Sequence, residues 1–257
     1  MIGGIGGTEG SGLLRSYERL ASGKRLNRAA DGAAELATVQ QYLAIEAGAA
    51  QGQRNLSDGQ SLLRVADGAL DGVSELVGRM RELVVQGSNG TLSEQDRAVI
   101  QQEYDQLAAE VDRIAGGTEF NGRRLLDGSA GGPGTVSIFG GSGAPISVEL
   151  GAHDAATLGL SGLATDSPQS LQAIDAAIDS ISRTRTHIGA VERSIDAQRT
   201  QLGATAEATA AARSRIEDTD YAREAAELAR ARILERTGIA VEIHRRIHQG
   251  AATELVR

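Results

Sequence analysis

Residues 59 to 86 carry an apolar pattern that most constrains what this chain can fold into. Leu63, Ala66, Leu70, Val73, Val77, Met80 and Val84 alternate steps of three and four, the 3.5-residue period of a coiled-coil seam rather than the 3.6 of a free helix. Leu62, Ala69, Leu76 and Leu83 form a second row beside it, too wide a face for one neighbour to cover. The pattern therefore predicts a bundle of three or more helices. Gly68, Gly72 and Gly78 each cost about 1 kcal/mol against alanine in a helix interior. Either the apolar face compensates for them, or tertiary contacts use them for close approach.

Further seams follow. Ser93 with Asp96 reads as an N-terminal cap for a helix whose Ile100, Tyr104, Leu107, Val111 and Ile114 repeat at four and three before Gly116-Gly117 stop it. A short loop makes this helix and the one before it an antiparallel pair. Ser167 caps and Pro168 opens another helix, with a seam through Ile174, Ile178, Ile181, Ile188, Ile195 and Leu202. Past a weak patch at Gly203 to Ala212, apolar positions resume at Ile216, Ala222, Ala226, Ala229, Ile233, Ala240, Ile243 and Ile247. A continuous helix over residues 168 to 249 would reach roughly 120 Å. Upstream, a short stripe at Leu13, Tyr17 and Leu20 is followed by a weak helix restarting near Arg28 and running toward Leu56, with residues 1 to 12, half of them glycine, flexible until bound.

Only residues 118 to 166 break the helical rule. Val136 and Ile138, then Ile146, Val148 and Leu150, alternate on either side of Gly-Gly-Ser-Gly-Ala-Pro, a β-hairpin with an exposed tip. The fold class expected is mainly α: an elongated coiled-coil or helical bundle with a small β-hairpin region and both chain ends helical. Aromatics at 2% and no Trp fit thin Ala, Leu, Ile and Val seams better than a wide globular core.

Charge and residue types narrow the function. A net charge of −8 argues against nucleic acid, which needs a cationic face, and the absence of Cys excludes disulfides and thiol chemistry. No apolar run spans a membrane and no cleavable signal opens the chain, so export would need another route. No convergent acid pair or phosphate-cradling loop is present, so catalytic, metal and cofactor sites are expected to be none. His244 and His248 share a helix face, but no Glu follows His244 and two arginines lie between them. They read as solvent-facing rather than metal-binding. Asn55-Leu-Ser57 and Asn89-Gly-Thr91 match the N-glycosylation tripeptide, a pattern common by chance.

Five ordered motifs carry a resemblance: Leu20-Ala-Ser-Gly-Lys-Arg-Leu-Asn-Arg-Ala-Ala-Asp31, Asn55-Leu-Ser-Asp-Gly59, Arg79-Met-Arg-Glu-Leu-Val-Val-Gln86, Thr118-Glu-Phe-Asn-Gly122 and Ser214-Arg-Ile-Glu-Asp-Thr-Asp220, with Leu255-Val256-Arg257 at the end. Over residues 13 to 257 the chain resembles bacterial flagellin, in a short form lacking large outer domains. The resemblance implies a structural, non-enzymatic subunit that polymerises into the flagellar filament for motility, secreted unfolded through the flagellar type III channel. It implies a homopolymer, with a flagellar export chaperone, cap and junction proteins as further partners. Residues 1–32 and 215–257 would form the inner coiled-coil domain and 33–214 a helical bundle domain with the hairpin region at about 118–166. The same resemblance makes Arg79, Leu83 and Glu103 both subunit-packing residues and contacts for the flagellin-sensing Toll-like receptor. Ile233, Ile243 and Ile247 have no N-terminal stripe of equal length to cover them, so they are expected to be polymer contacts. Two other readings remain: a hook-filament junction (hook-associated) protein, and a coiled-coil ligand or adaptor that never polymerises.

Overall fold

A computed structural model describes residues 5–130, 135–141 and 143–254, with side chains 5–11, 242, 246 and 248–254 outside the description. The protein is mainly α. Five helices, α1 (Ile5–Ser22), α2 (Ala33–Gly87), α3 (Glu94–Gly117), α4 (Pro168–Glu217) and α5 (Tyr221–Glu254), accompany two antiparallel strand pairs. The glycine-rich start expected to be flexible enters α1 at Ile5. Residues 1–4 and the terminal Leu-Val-Arg lie outside the described residues.

The chain divides into two compact units, a terminal one of residues 1–46 and 207–257 and a central one of residues 47–206. These limits fall inside α2 and α4. The sequence suggested one helix ending near Leu56 and another beginning near Gly59. Instead α2 is one 55-residue helix, since Leu56 is fully buried and continues the inward face.

In the central unit, α2 lies antiparallel to both of its neighbours, and ion pairs mark the register. Arg81 meets Asp175 at 2.8 Å, Arg185 meets Asp71 and Asp67 at 2.7 and 2.9 Å, and Arg199 reaches Gln60 at 3.1 Å. As α2 numbers fall, α4 numbers rise. On the other side Arg79 pairs with Glu103 of α3 at 3.1 Å. Between these rows the seam residues Leu63, Leu70, Val73, Val77, Met80, Val84, Ile100, Tyr104, Val111, Ile174, Ile181, Ile188 and Ile195 are buried in one core, with Leu107 and Ile178 packed at its margin. Ser93 accepts from the Asp96 amide at 3.2 Å and the Asp96 carboxylate from the Ser93 amide at 3.3 Å, closing the capping box. At α4, by contrast, Ser167 turns its hydroxyl to the Gln169 side chain, and Pro168 alone marks the start.

Strands β1 (Glu119–Phe120) and β2 (Arg123–Arg124) are joined by Asn121 and Gly122, both at positive φ, as a two-residue hairpin turn requires. Strands β3 (Thr135–Ile138) and β4 (Ile146–Glu149) pair Val136 with Val148 and Ile138 with Ile146, turning these side chains to the core and Ser137 and Ser147 to solvent. The hairpin tip is not wholly exposed. Gly140 is buried, and a Cβ on Gly52 of α2 would stand 2.2 Å from its carbonyl oxygen. Asn55 donates to the Phe139 carbonyl at 3.0 Å, which occupies one glycosylation-like asparagine in packing. Close approach is thus the role of Gly52, not of Gly68 or Gly78, whose added Cβ atoms would meet nothing within 4 Å; at Gly72 only the tip of Ile114 comes near, at 3.8 Å.

After β4, residues 150–166 form a strap held by polar anchors. Tyr104 donates to the Leu160 carbonyl at 2.9 Å, Gln101 bonds the Leu163 carbonyl and the Thr165 amide, and Asp112 accepts from the Ala155 amide at 2.7 Å. Ala155, Leu158 and Leu160 thereby close the core. Burial, with a smaller push from the Asp105 charge, raises the Tyr104 phenol to about 12, so it stays a neutral donor.

Candidate assembly site

Two of the motifs quoted above lie almost 200 residues apart, and the terminal unit brings them into contact. Gly23 ends α1 at φ +71, a conformation that suits glycine, and an added Cβ there would also press the Tyr221 hydroxyl at 3.1 Å. The chain then runs antiparallel to residues 217–219. Lys24 bridges Asp218, the Arg25 amide donates to the Glu217 carbonyl at 2.6 Å, and the Thr219 amide donates to the Gly23 carbonyl at 3.0 Å. Arg25 adds 2.7 Å bonds to the Ile216 carbonyl and the Glu35 carboxylate.

Glu217 is the buried charge at the centre, with its side chain 5% exposed. Lys24 Nζ lies 2.5 Å from one oxygen and Arg213 2.8 Å from the other, and Arg213 also holds Glu46 of α2 at 3.0 Å. Burial opposes ionisation of Glu217, but the hydrogen bonds and charges of Lys24 and Arg213 outweigh it and hold its pKa below the ordinary value. A buried carboxylate with two cationic partners fixes geometry more than it adds stability. Nearby, the Asp31 carboxylate accepts from the Arg28 and Asn27 amides at 2.9 and 3.1 Å, which keeps its own pKa low.

This junction also sets the start of α5. The expected 120 Å helix is interrupted at Asp218 to Asp220, where the Asp220 carboxylate caps the amides of Ala222 and Arg223 at 3.0 and 3.1 Å. Apolar residues lie on both sides of the break, Ile216 before it and Ala222 after, but the step of six between them matches neither the three- nor the four-residue step of a seam. Beyond it, Leu228 is buried and Arg232 sits 5.2 Å over the Tyr17 ring, donating to its hydroxyl. From there α5 lacks cover. Ile233, Ile243 and Ile247 are 62, 55 and 62% exposed, and Leu234, Ile239 and Val241 are exposed with them.

The other expected contact set is split by the fold. Arg79 and Glu103 are half exposed and bonded to each other, with Glu82 also on Arg79 at 2.7 Å. Leu83 does not join them at the surface: it faces the core at 1% exposure, since it belongs to the second apolar row of α2. His244 is exposed on α5, while the side chain of His248 lies outside the described residues. Among the described residues, no cluster of His, Asp and Glu is arranged to hold a metal, and no helix is long and apolar enough to cross a membrane. Lys24, Glu46, Arg213, Glu217 and Asp220 escaped the sequence reading because ion pairs have no period. The recurrence of charged residues inside two motifs was the available signal.

Fold and site together define a helical-bundle subunit with its two chain ends joined at a charged junction and an apolar terminal helix face left open. Comparison with known proteins makes the class specific. The family model for the bacterial flagellin N-terminal helical region matches residues 8–131, and that for the bacterial flagellin C-terminal helical region matches residues 171–243. A flagellin of Halalkalibacterium halodurans is 36% identical over 95% of this chain and 91% of its own. A flagellar filament 30.7 kDa core protein of Treponema maltophilum is 34% identical over 88% and 86%. The crystal structure of Bacillus cereus flagellin superposes with a TM-score of 0.51 at 34% identity, covering 58% of this chain and 88% of that one. The chain belongs to the bacterial flagellin family. It is a structural subunit of the flagellar filament, a homopolymer of the extracellular flagellum.

Proposed function

We propose that polymerisation buries the open face of α5 against other copies of the chain, with Ile233, Ile243 and Ile247 as the contact row. The observation that carries this is the run of six large apolar side chains exposed between Ile233 and Ile247. A monomer gains nothing from such a stripe, and a helical polymer covers it in every copy. Residues 1–32 and 215–257 are then the part of the subunit that pairs with other copies, and 33–214 the folded bundle. Before assembly the same stripe needs cover, which supports an export chaperone as partner and secretion of the unfolded chain through the type III channel. Cap and junction proteins complete the set. For the Toll-like receptor, the surface on offer is the Arg79–Glu103 pair with Glu82, while Leu83 acts from beneath by fixing α2. Nothing in the arrangement calls for catalysis.

Electron microscopy of concentrated protein, seeded with sheared filaments, tests the reading. Long filaments are expected. Short caps a few copies deep would point to a junction protein, and monomer alone would point to a ligand or adaptor.

A further inference from the structure

One buried titratable group serves neither the core nor the assembly site. His153 is 3% exposed, at the point where the strap of residues 150–166 crosses from the strand pairs to α4. Its amide donates to the Leu126 carbonyl at 2.8 Å, and its Nε2 lies 3.2 Å from the Thr184 hydroxyl of α4. The Thr184 hydroxyl also lies 3.2 Å from the Ser180 carbonyl, and with its proton directed there its oxygen accepts from an Nε2–H. The buried Nδ1 makes no hydrogen bond.

We infer that His153 is an acid-sensitive pin: neutral, it fastens the strap to α4, and protonation of the ring weakens the hold on residues 151–160. A charged imidazole buried here loses its hydration, and burial does hold its pKa below the ordinary value. The Gly151 backbone, as acceptor for a proton on Nδ1, and the Asp154 carboxylate pull the other way and are the weaker influence. Charges on the surrounding elements do not rescue it. Asp154 is committed to Thr157, Asp112 of α3 to the Ala155 amide and Asp127 to Ser129. On α4, Arg183 bonds the Asp179 carbonyl and Arg185 bonds Asp67 and Asp71. The sign follows. The unfolded strap takes up its proton near pH 6.5 and the folded one only lower, so the contribution of His153 to attachment is complete above about 6.5 and is lost as pH falls below it. Asp127 and Asp154 beside the strap have pKa values below their ordinary range and titrate later than the histidine.

Hydrogen exchange on the full-length monomer tests this between pH 7.5 and 4.5, corrected for intrinsic rates. Protection of the amides in 151–160 should fall by about tenfold per pH unit once the imidazole of the open strap is protonated, while amides in α2 stay constant. His153→Gln, which keeps a donor for Thr184 and does not titrate, should hold its protection across the range. Equal pH dependence in both proteins would overturn the inference. Should His153→Gln not fold, the wild-type imidazole decides: a neutral ring at pH 7 by nitrogen chemical shifts, titrating below 6.5, supports the pin, and titration at or above 6.5 overturns it.

Discussion

Gly52 and Gly68 lie on one helix and meet opposite demands. At Gly52 an added Cβ would sit 2.2 Å from a backbone carbonyl oxygen, so alanine must displace the hairpin turn. Gly52→Ala should destabilise the central unit by about 1 to 3 kcal/mol, the usual range for overpacking. At Gly68 nothing lies within 4 Å, and Gly68→Ala should stabilise it by about 1 kcal/mol. Urea denaturation of both variants checks the pair, and reversed signs would show that the hairpin does not rest on α2. Glu217 makes a different demand. Its folded pKa lies below the ordinary 4.5, so its ion pairs stabilise the junction fully above 4.5 and lose that contribution as pH falls through the folded value. Glu217→Gln should cost about 1 to 3 kcal/mol at pH 7, the range for hydrogen bonds to charged groups, and the cost should vanish in acid. A cost independent of pH would mean that packing, not charge, holds the junction.

At the scale of elements, periodicity shows what it can and cannot reveal. The seam from Leu63 to Val84 was legible because a buried face shared by several helices writes a regular repeat, and all seven of its side chains are fully buried. Two joints were not legible. The continuity of α2 through Leu56 is hidden because small and polar residues dilute the stripe, and the break before α5 is hidden because the six-residue step from Ile216 to Ala222 passes for one more gap in a weak stripe. The charged junction depends on partners such as Arg25 and Ile216, 191 residues apart, which no local pattern marks. The inward turn of Leu83 was legible in its row of four residues spaced by seven, yet the family motif drew it to the surface. Asp220→Ala should loosen the start of α5 by about 0.5 to 2 kcal/mol, seen as faster exchange at the Ala222 and Arg223 amides. Beyond Leu228 the helix buries little, against an ordering cost of about 1 to 2 kcal/mol per residue. Trypsin should therefore cut monomer between Arg230 and Arg246 well before the central unit and spare the same sites in filaments. Equal resistance in both forms would contradict a face that is covered only on assembly.

Across the whole molecule the net charge is not shared evenly. Basic and acidic residues balance in the terminal unit, so the −8 of the chain falls on residues 47–206. Assembly gathers units of like charge into one polymer, and salt should favour it by screening them. Raising ionic strength from about 0.01 to 0.15 M shortens the Debye length from about 30 to 8 Å and should lower the monomer concentration left at equilibrium with filaments. The central claim is that α5 keeps its apolar face for other copies. Ile243 is 55% exposed in the monomer, so Ile243→Asp should leave the melting of the central unit within about 0.5 kcal/mol of wild type. In the polymer the same charge would be buried in every subunit at a cost of several kcal/mol. Seeded assembly of Ile243→Asp beside wild type, viewed by electron microscopy, is the most direct measurement: the account predicts a folded monomer and no filaments, and filaments of normal length and yield would contradict it.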